Sequence, residues 1–210
     1  MSPRGLRLVL INAAAASSVL AVALLWQHAS RPYDGGFAPP ETDVCIVPAA
    51  RTSAAHPYDP ASGLAMHDAR PVPADARCAV CGMYPSRFRR WAAQLIMDDG
   101  GALFFDSPVD LFLFLAEPAR FDGAGRIAQI AALYVSDHAG RGWVDARRAL
   151  FVAGSSARGP MRGPDLPAFA DAAAAAAFAA EHGGRVVRFD GIDSALLASL
   201  RNANHARHFH

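Results

Sequence analysis

Cysteine is scarce in this chain, with three residues in 210. That excludes a small scaffold held by a disulfide framework, and the odd count leaves at least one thiol free or ligating whatever the other two do. Net charge is nearly absent as well, at +1, which removes any global electrostatic case for nucleic acid as a partner. Charged residues make up 19% and hydrophobic residues 52%, so wholesale disorder is excluded and a sizeable core is within reach. The length suits one domain, or two small ones with appendages.

Long apolar runs are also few. The exception is Leu8 to Trp26, interrupted by Asn12, Ser17 and Ser18 and preceded by Arg4 and Arg7. It is near the length of a bilayer-spanning helix and longer than the usual apolar stretch of a signal peptide. The basic residues ahead of it keep to the cytoplasmic side and send the remainder outward. The exit Trp26-Gln27-His28-Ala29-Ser30 puts Gln27 or His28 where cleavage wants a small residue. Residues 1–28 are therefore expected to be an uncleaved anchor rather than a removed signal peptide. Residues 29–76, rich in Pro and Ala, read as an irregular linker. Cys45 stands alone in it, and His56, Met66 and His67 are expected to face solvent.

The chemistry concentrates in Arg77-Cys78-Ala79-Val80-Cys81-Gly82-Met83-Tyr84-Pro85. Two thiols and a thioether fall within six residues. A positive φ at Gly82 would fold the loop back so that Cys81 and Met83 point at one centre. Such a soft donor set suits Cu(I) rather than magnesium or calcium. Zinc would call for a second Cys or His pair at finger-like spacing, and none follows. A thioredoxin-like redox pair opens a helix, whereas Gly82 and Pro85 favour a loop. Oxidation of Cys78 and Cys81 to a local disulfide, with Met83 packed in a core, is the other reading these residues allow.

The pattern downstream predicts an α+β fold. Trp91 to Met97 and Ala102 to Asp106 read as strands around a hairpin turn at Asp98-Asp99-Gly100-Gly101. Ser107-Pro108 with Asp110 marks a helix start, and Pro118 a stop near Ala116. Ile127 to Ser136 is the next strand. The same β-β-α-β order is expected to recur. A strand region runs from Gly142 through Val152, and a short strand covers Leu166 to Ala170. Asp171 then caps an alanine helix ended by Gly183-Gly184, and Arg185 to Phe189 forms the closing strand. The expected divisions are 77–139 and 140–192 as two tandem ββαβ units, then 193–210 as a C-terminal helix and tail. The histidines of that tail, His205, His208 and His210, are weak compositional signals.

Taken in order, Cys78-x-x-Cys81-Gly82-Met83, Trp91-Ala92-Ala93-Gln94, Phe105-Asp106-Ser107-Pro108-x-Asp110, Tyr134-Val135-x-Asp137, Trp143-x-Asp145-Ala146-Arg147 and Gly159-Pro160-Met161 resemble the NosL copper chaperones. The resemblance runs from about Arg77 to Phe189. It implies a pair of ββαβ units similar to organomercurial lyase, in a domain preceded here by the anchor helix and linker. It further implies an extracytoplasmic protein that binds one Cu(I) and passes it to an assembly factor or to nitrous-oxide reductase itself. The expected location is the periplasmic face of the inner membrane, held by the N-terminal helix, or export after cleavage.

The ligands implied are Cys81 and Met83 at the core, then Met161 from the second unit, then Cys78, with His138 as an outside candidate. Family members are often lipoproteins, but no lipobox-like cysteine closely follows the apolar run. Arg162 stands where the family leads one to expect glycine. Arg87, Arg89 and Arg90 form a basic patch that either docks an acidic partner or is simply a solvated face. Two other functions compete with the carrier. A thiol-redox or organomercurial-lyase-like enzyme needs a carboxylate beside the thiols, and none is visible in the sequence around Cys78 and Cys81. A disulfide-containing protein-binding module needs Cys78 and Cys81 to be bonded.

Overall fold

Strand β1 (Ala93–Met97) is buried along its whole length, and the fold is built outward from it. The computed structural model describes residues 55–121 and 127–205. The expected anchor, the linker as far as residue 54 with Cys45, and the tail histidines His208 and His210 lie outside the described residues, as does the side chain of His205. Among the described residues no helix is long and apolar enough to cross a membrane.

From β1 the chain turns tightly into β2 (Ala102–Phe105). Gly100, at φ +80°, supplies the left-handed residue of the turn, and the Asp99 side chain accepts from Gly101 N at 2.8 Å. Helix α1 (Pro108–Ala116) follows, with Ser107 Oγ accepting from Asp110 N and Pro108 opening the first turn. Proline there loses no helical hydrogen bond and its φ is already helical. Strand β3 (Ile130–Ser136) returns antiparallel to β1, and β4 (Trp143–Asp145) pairs with β3, giving the sheet order β2-β1-β3-β4. A second sheet of order β6-β5-β7 holds β5 (Leu150–Ala153), β6 (Ala168–Phe169) and β7 (Arg185–Arg188). Helix α2 (Ala172–His182) lies between β6 and β7 in the chain and is capped by Asp171. Helix α3 (Ser194–His205) closes the described chain. The strand–strand–helix–strand order therefore occurs in each sheet, with the first strand in the middle both times.

Two expectations need correction. The strand region expected to run from Gly142 through Val152 is two strands in two sheets. Asp145 breaks it: its carbonyl accepts from Arg148 N and Ala149 N, and its side chain accepts from Arg147 N. Residues 143–145 thus complete the first sheet instead of opening a second unit at 140. The linker, expected to run to residue 76, is packed against the domain from Ala55 onward. His56 exchanges two backbone hydrogen bonds of 2.8 Å with Ala102, and Val72 and Ala76 pack on Ile96, Ala102 and Phe104.

This strap is held by Gln94. Alternation along β1 turns Ala93, Leu95 and Met97 into the main core and Gln94 and Ile96 toward the strap. Fully buried, the Gln94 amide accepts from Arg70 N and donates to Arg70 O, both at 3.0 Å. A carboxamide in a central strand is tolerable only when both its ends are satisfied in this way.

One core joins both sheets. Helix α1 is apolar on nearly every face and inserts between them. Phe112 meets Phe151 of β5 at 5.3 Å and Phe189 at 5.1 Å, a burial worth about 2 kcal/mol by its area. The sheets also touch where Asp137, just past β3, bridges Ala168 of β6.

Candidate metal centre

The Cys78–Met83 loop docks on the outer edge of β2. Cys78 forms a parallel bridge with Phe104, and Ala79 N donates to Phe104 O at 3.2 Å. Two backbone bonds close the loop, Cys78 N to Met83 O at 2.7 Å and Gly82 N to Cys78 O at 2.9 Å. Gly82 takes φ +75°, the left-handed turn expected of it. A Cβ there would meet nothing within 4 Å, so the backbone angle, not crowding, is what calls for glycine.

Opposite the loop lies the junction of β2 and α1. Asp106 directly follows the strand and Asp110 sits in the first helical turn. Cys78 Sγ donates to Asp110 Oδ2 at 3.1 Å, and Cys81 Sγ donates to Asp106 Oδ1 at 3.2 Å. Ligand atoms of Cys78, Cys81, Asp106 and Asp110 all lie within 4.8 Å of one another. Cys78, Asp106 and Asp110 are buried and Cys81 is half-buried. Asp106 Oδ2 is buried with no hydrogen-bond partner. Both cysteines are free thiols.

The electrostatics favour protons in this cluster when no cation is present. Burial, followed by the neighbouring Asp106, pushes the Asp110 carboxyl well above the usual carboxylate range. Burial pushes the Cys78 thiol well up, helped by a hydrogen bond with Cys81 and by both aspartates. For Cys81 the Cys78 hydrogen bond is the strongest influence and pulls down. Burial together with Asp110 and Asp106 outweighs it, and the thiol is pushed up to about 11. A cation placed among these groups reverses that logic, because it favours the charged form of each of them.

Of the four sulfurs expected to ligate, the structure brings the Cys78 and Cys81 thiols together and places half-buried Met83 in the same closed loop. Met161 is 48% exposed, on a loop closed by the Gly159 N to Gly163 O bond at 3.0 Å. Asp165 ties that loop to the helix bearing Asp110. Its Oδ1 accepts from Val109 N at 3.3 Å and Leu166 N at 2.8 Å. Its carboxyl packs so closely on Gly159 that a Cβ there would lie 2.1 Å from Oδ2.

His138 does not join the thiols. Its ring stacks edge-on against Trp91 at 4.7 Å and Phe178 at 5.3 Å, and its Nδ1 faces Arg90 O at 3.3 Å. It lines a separate cavity of about 400 Å³ with Arg90, Phe178, Glu181 and His182. Burial lowers its pKa. His67 and Met66 are exposed as expected, while His56 is half-buried against Phe104.

The residues that sequence reasoning missed as site members are Asp106 and Asp110. The expectation that no carboxylate accompanies the two thiols is overturned by their contacts. A signal was present in the spacing of four, which places Asp106 just before the helix and Asp110 on its first turn. The helix-capping role of that stretch accounted for it without any reference to the cysteines.

Comparison with known proteins bears on the same region. The NosL family model matches residues 69–197, beginning inside the strap. The chain is 34% identical over 136 residues to the copper-binding lipoprotein NosL of Stutzerimonas stutzeri, which spans 61% of this chain and 67% of that protein. Its fold is similar to the crystal structure of the copper chaperone NosL from Shewanella denitrificans. The TM-score is 0.52 and the identity 28%, with 61% of this chain and 98% of that one covered.

Proposed function

Because the chain belongs to the NosL family, we propose that it is an extracytoplasmic Cu(I) metallochaperone that delivers copper for the maturation of nitrous-oxide reductase. The observation that carries the reading is the convergence of the Cys78 and Cys81 thiols in a loop that also contains Met83. Soft sulfur donors select a soft, monovalent cargo. On this reading Cys81 and Met83 are the core ligands, Met161 is the next and Cys78 the fourth. Met161 belongs to an exposed loop, which suits a ligand that engages when the ion arrives and disengages when it leaves.

The raised thiol pKa values make loading pH-dependent. Loading Cu(I) displaces thiol protons, so affinity rises with pH. The acceptor is an assembly factor or the reductase. The curated relative is named a lipoprotein. Attachment here is assigned to the N-terminal apolar segment at the periplasmic face of the inner membrane, with export after cleavage as the variant of that arrangement.

The test is anaerobic titration of the reduced full chain with Cu(I) against a chromogenic competitor, with X-ray absorption on the loaded protein. The expected result is about one Cu(I) per chain with sulfur-dominated ligation, lost in Cys81→Ser and in Met83→Leu. Full-affinity binding by the double variant would sink the proposal. A second reading, a carbon–mercury lyase, is favoured by one observation, the pairing of two thiols with buried aspartates. Against it stands the upward shift of both thiols, since the attacking species in such chemistry is the thiolate. Turnover of an organomercurial by the reduced chain would move the assignment to that reading.

A further inference from the structure

Two arginines bracket the sulfur loop, Arg77 just before Cys78 and Arg87 shortly after Met83. Both converge on one ring. The guanidinium carbon of Arg77 lies 3.7 Å from the centroid of Tyr84, and that of Arg87 lies 4.9 Å from it. Arg77 is further fixed by donating from Nη1 to Gly82 O at 3.1 Å, inside the loop itself. Both arginines are exposed, and among the described residues neither forms an ion pair. The basic run from Arg87 to Arg90 is thereby divided. Arg90 turns away and donates from Nε and Nη2 to His138 O, while Arg87 joins Arg77 over the ring.

Loose surface cations are usually only solvated, but these are not loose. An aromatic face biases the placement of each planar guanidinium, Arg77 being tied further by its Gly82 bond. A fork so placed matches a carboxylate bidentately with less entropy to lose. Two like charges gathered on one ring repel each other, and an anion placed beside them removes that repulsion. Position supplies the rest of the argument. Metal that leaves by ligand exchange requires the acceptor's donor atoms at bonding distance from the ion, so the acceptor must cover the sulfur loop and the arginines beside it.

Resting on the chaperone reading above, we propose that Arg77, Tyr84 and Arg87 form the docking surface for the copper acceptor, which presents a carboxylate-rich protein patch to them. The surface accelerates encounter and sets orientation, and it leaves the intrinsic affinity for the ion unchanged.

The test uses the full chain loaded with Cu(I) and two synthetic acceptor peptides. Both carry the same Cys-x-x-Cys copper pair, one flanked by glutamates and the other by lysines. Stopped-flow transfer at low salt is expected to be about tenfold faster or more to the acidic peptide, with the advantage shrinking at high salt. Arg87→Glu is the variant of choice because Arg77 also touches the metal loop. It should abolish the advantage while its Cu(I) affinity against the chromogenic competitor stays that of the native chain. Equal rates for the two peptides in the native chain overturn the proposal, as does an advantage that survives in Arg87→Glu. Arginine-dependent binding to phosphatidylglycerol vesicles without any peptide preference overturns it in favour of a lipid surface. A native chain that binds no Cu(I) refutes the chaperone reading, and this role for the surface with it.

Discussion

Replacing Asp165 with asparagine should remove a pH dependence of stability that the native chain carries between about pH 4 and pH 7. The Asp165 carboxyl is buried beneath Gly159, and burial raises it from 3.8 to about 7 despite hydrogen bonds from Leu166, Val109 and Ser107. Below the unfolded value both folded and unfolded forms hold the proton, and the native chain has its full stability. As pH rises, the unfolded chain releases the proton first, so the folded state binds more protons and stability falls. The fall ends near pH 7, where the folded carboxyl also ionises.

The interval from 3.8 to about 7, at about 1.36 kcal/mol per pH unit, corresponds to about 4 kcal/mol. That is an upper figure, because a small opening of the Gly159 loop would let water reach the charged group. Asparagine keeps an oxygen for the Val109 and Leu166 N–H groups and never ionises. Any cost of seating its amide against Gly159 is the same at every pH and cancels in the comparison. The assay is urea unfolding of the reduced, metal-free full chain and Asp165→Asn at several pH values between about 4 and 8. Asp165→Asn should gain on the native chain by up to about 4 kcal/mol over that range. A difference that stays constant with pH would refute the argument.

Asp106→Asn removes one of the charges that hold the Cys81 proton in place. The pH–rate profile of Cys81 alkylation should move to lower pH, with faster reaction at mildly alkaline pH. Gln94→Leu leaves the Arg70 N–H and C=O without the partners that clamp the strap. A loss of about 1–3 kcal/mol in urea unfolding is expected, with early hydrogen exchange confined to residues near Arg70. Arg162 holds φ +61°, a left-handed angle that disfavours every residue with a Cβ. Arg162→Gly should therefore gain about 1 kcal/mol, read as a higher melting temperature.

Local punctuation made much of the fold legible in the sequence. Gly100 turned the first hairpin, Ser107-Pro108 opened α1, and Asp171 capped the alanine helix. The break between β4 and β5 was not legible because no glycine or proline marks it. Asp145 makes that turn with its own side chain and carbonyl, and a lone aspartate between two strand-like runs is weak evidence of a turn until its partners are seen. The packing of the strap depended on one buried amide whose partners are backbone atoms of residue 70, and composition carries no trace of that. At the site, the cysteines and Met83 were legible as a motif. The aspartates were not legible as their companions, because residues 106 and 110 reach Cys81 and Cys78 only after β2 has paired beside the loop.

The strap has a mechanical consequence. Its two ends both attach to β2, His56 through backbone bonds to Ala102 and Cys78 through its bridge to Phe104. Tension arriving along the chain from the N-terminal side is borne first by the His56 bonds, two residues along the strand from the sulfur loop's own mooring. The Gln94 clamp lies between these points in the path and takes up the load if the His56 bonds part. Force must therefore break the His56 bonds and then the Gln94 clamp before it reaches the thiols, so the strap shields the sulfur loop from strain arriving at this end of the described chain.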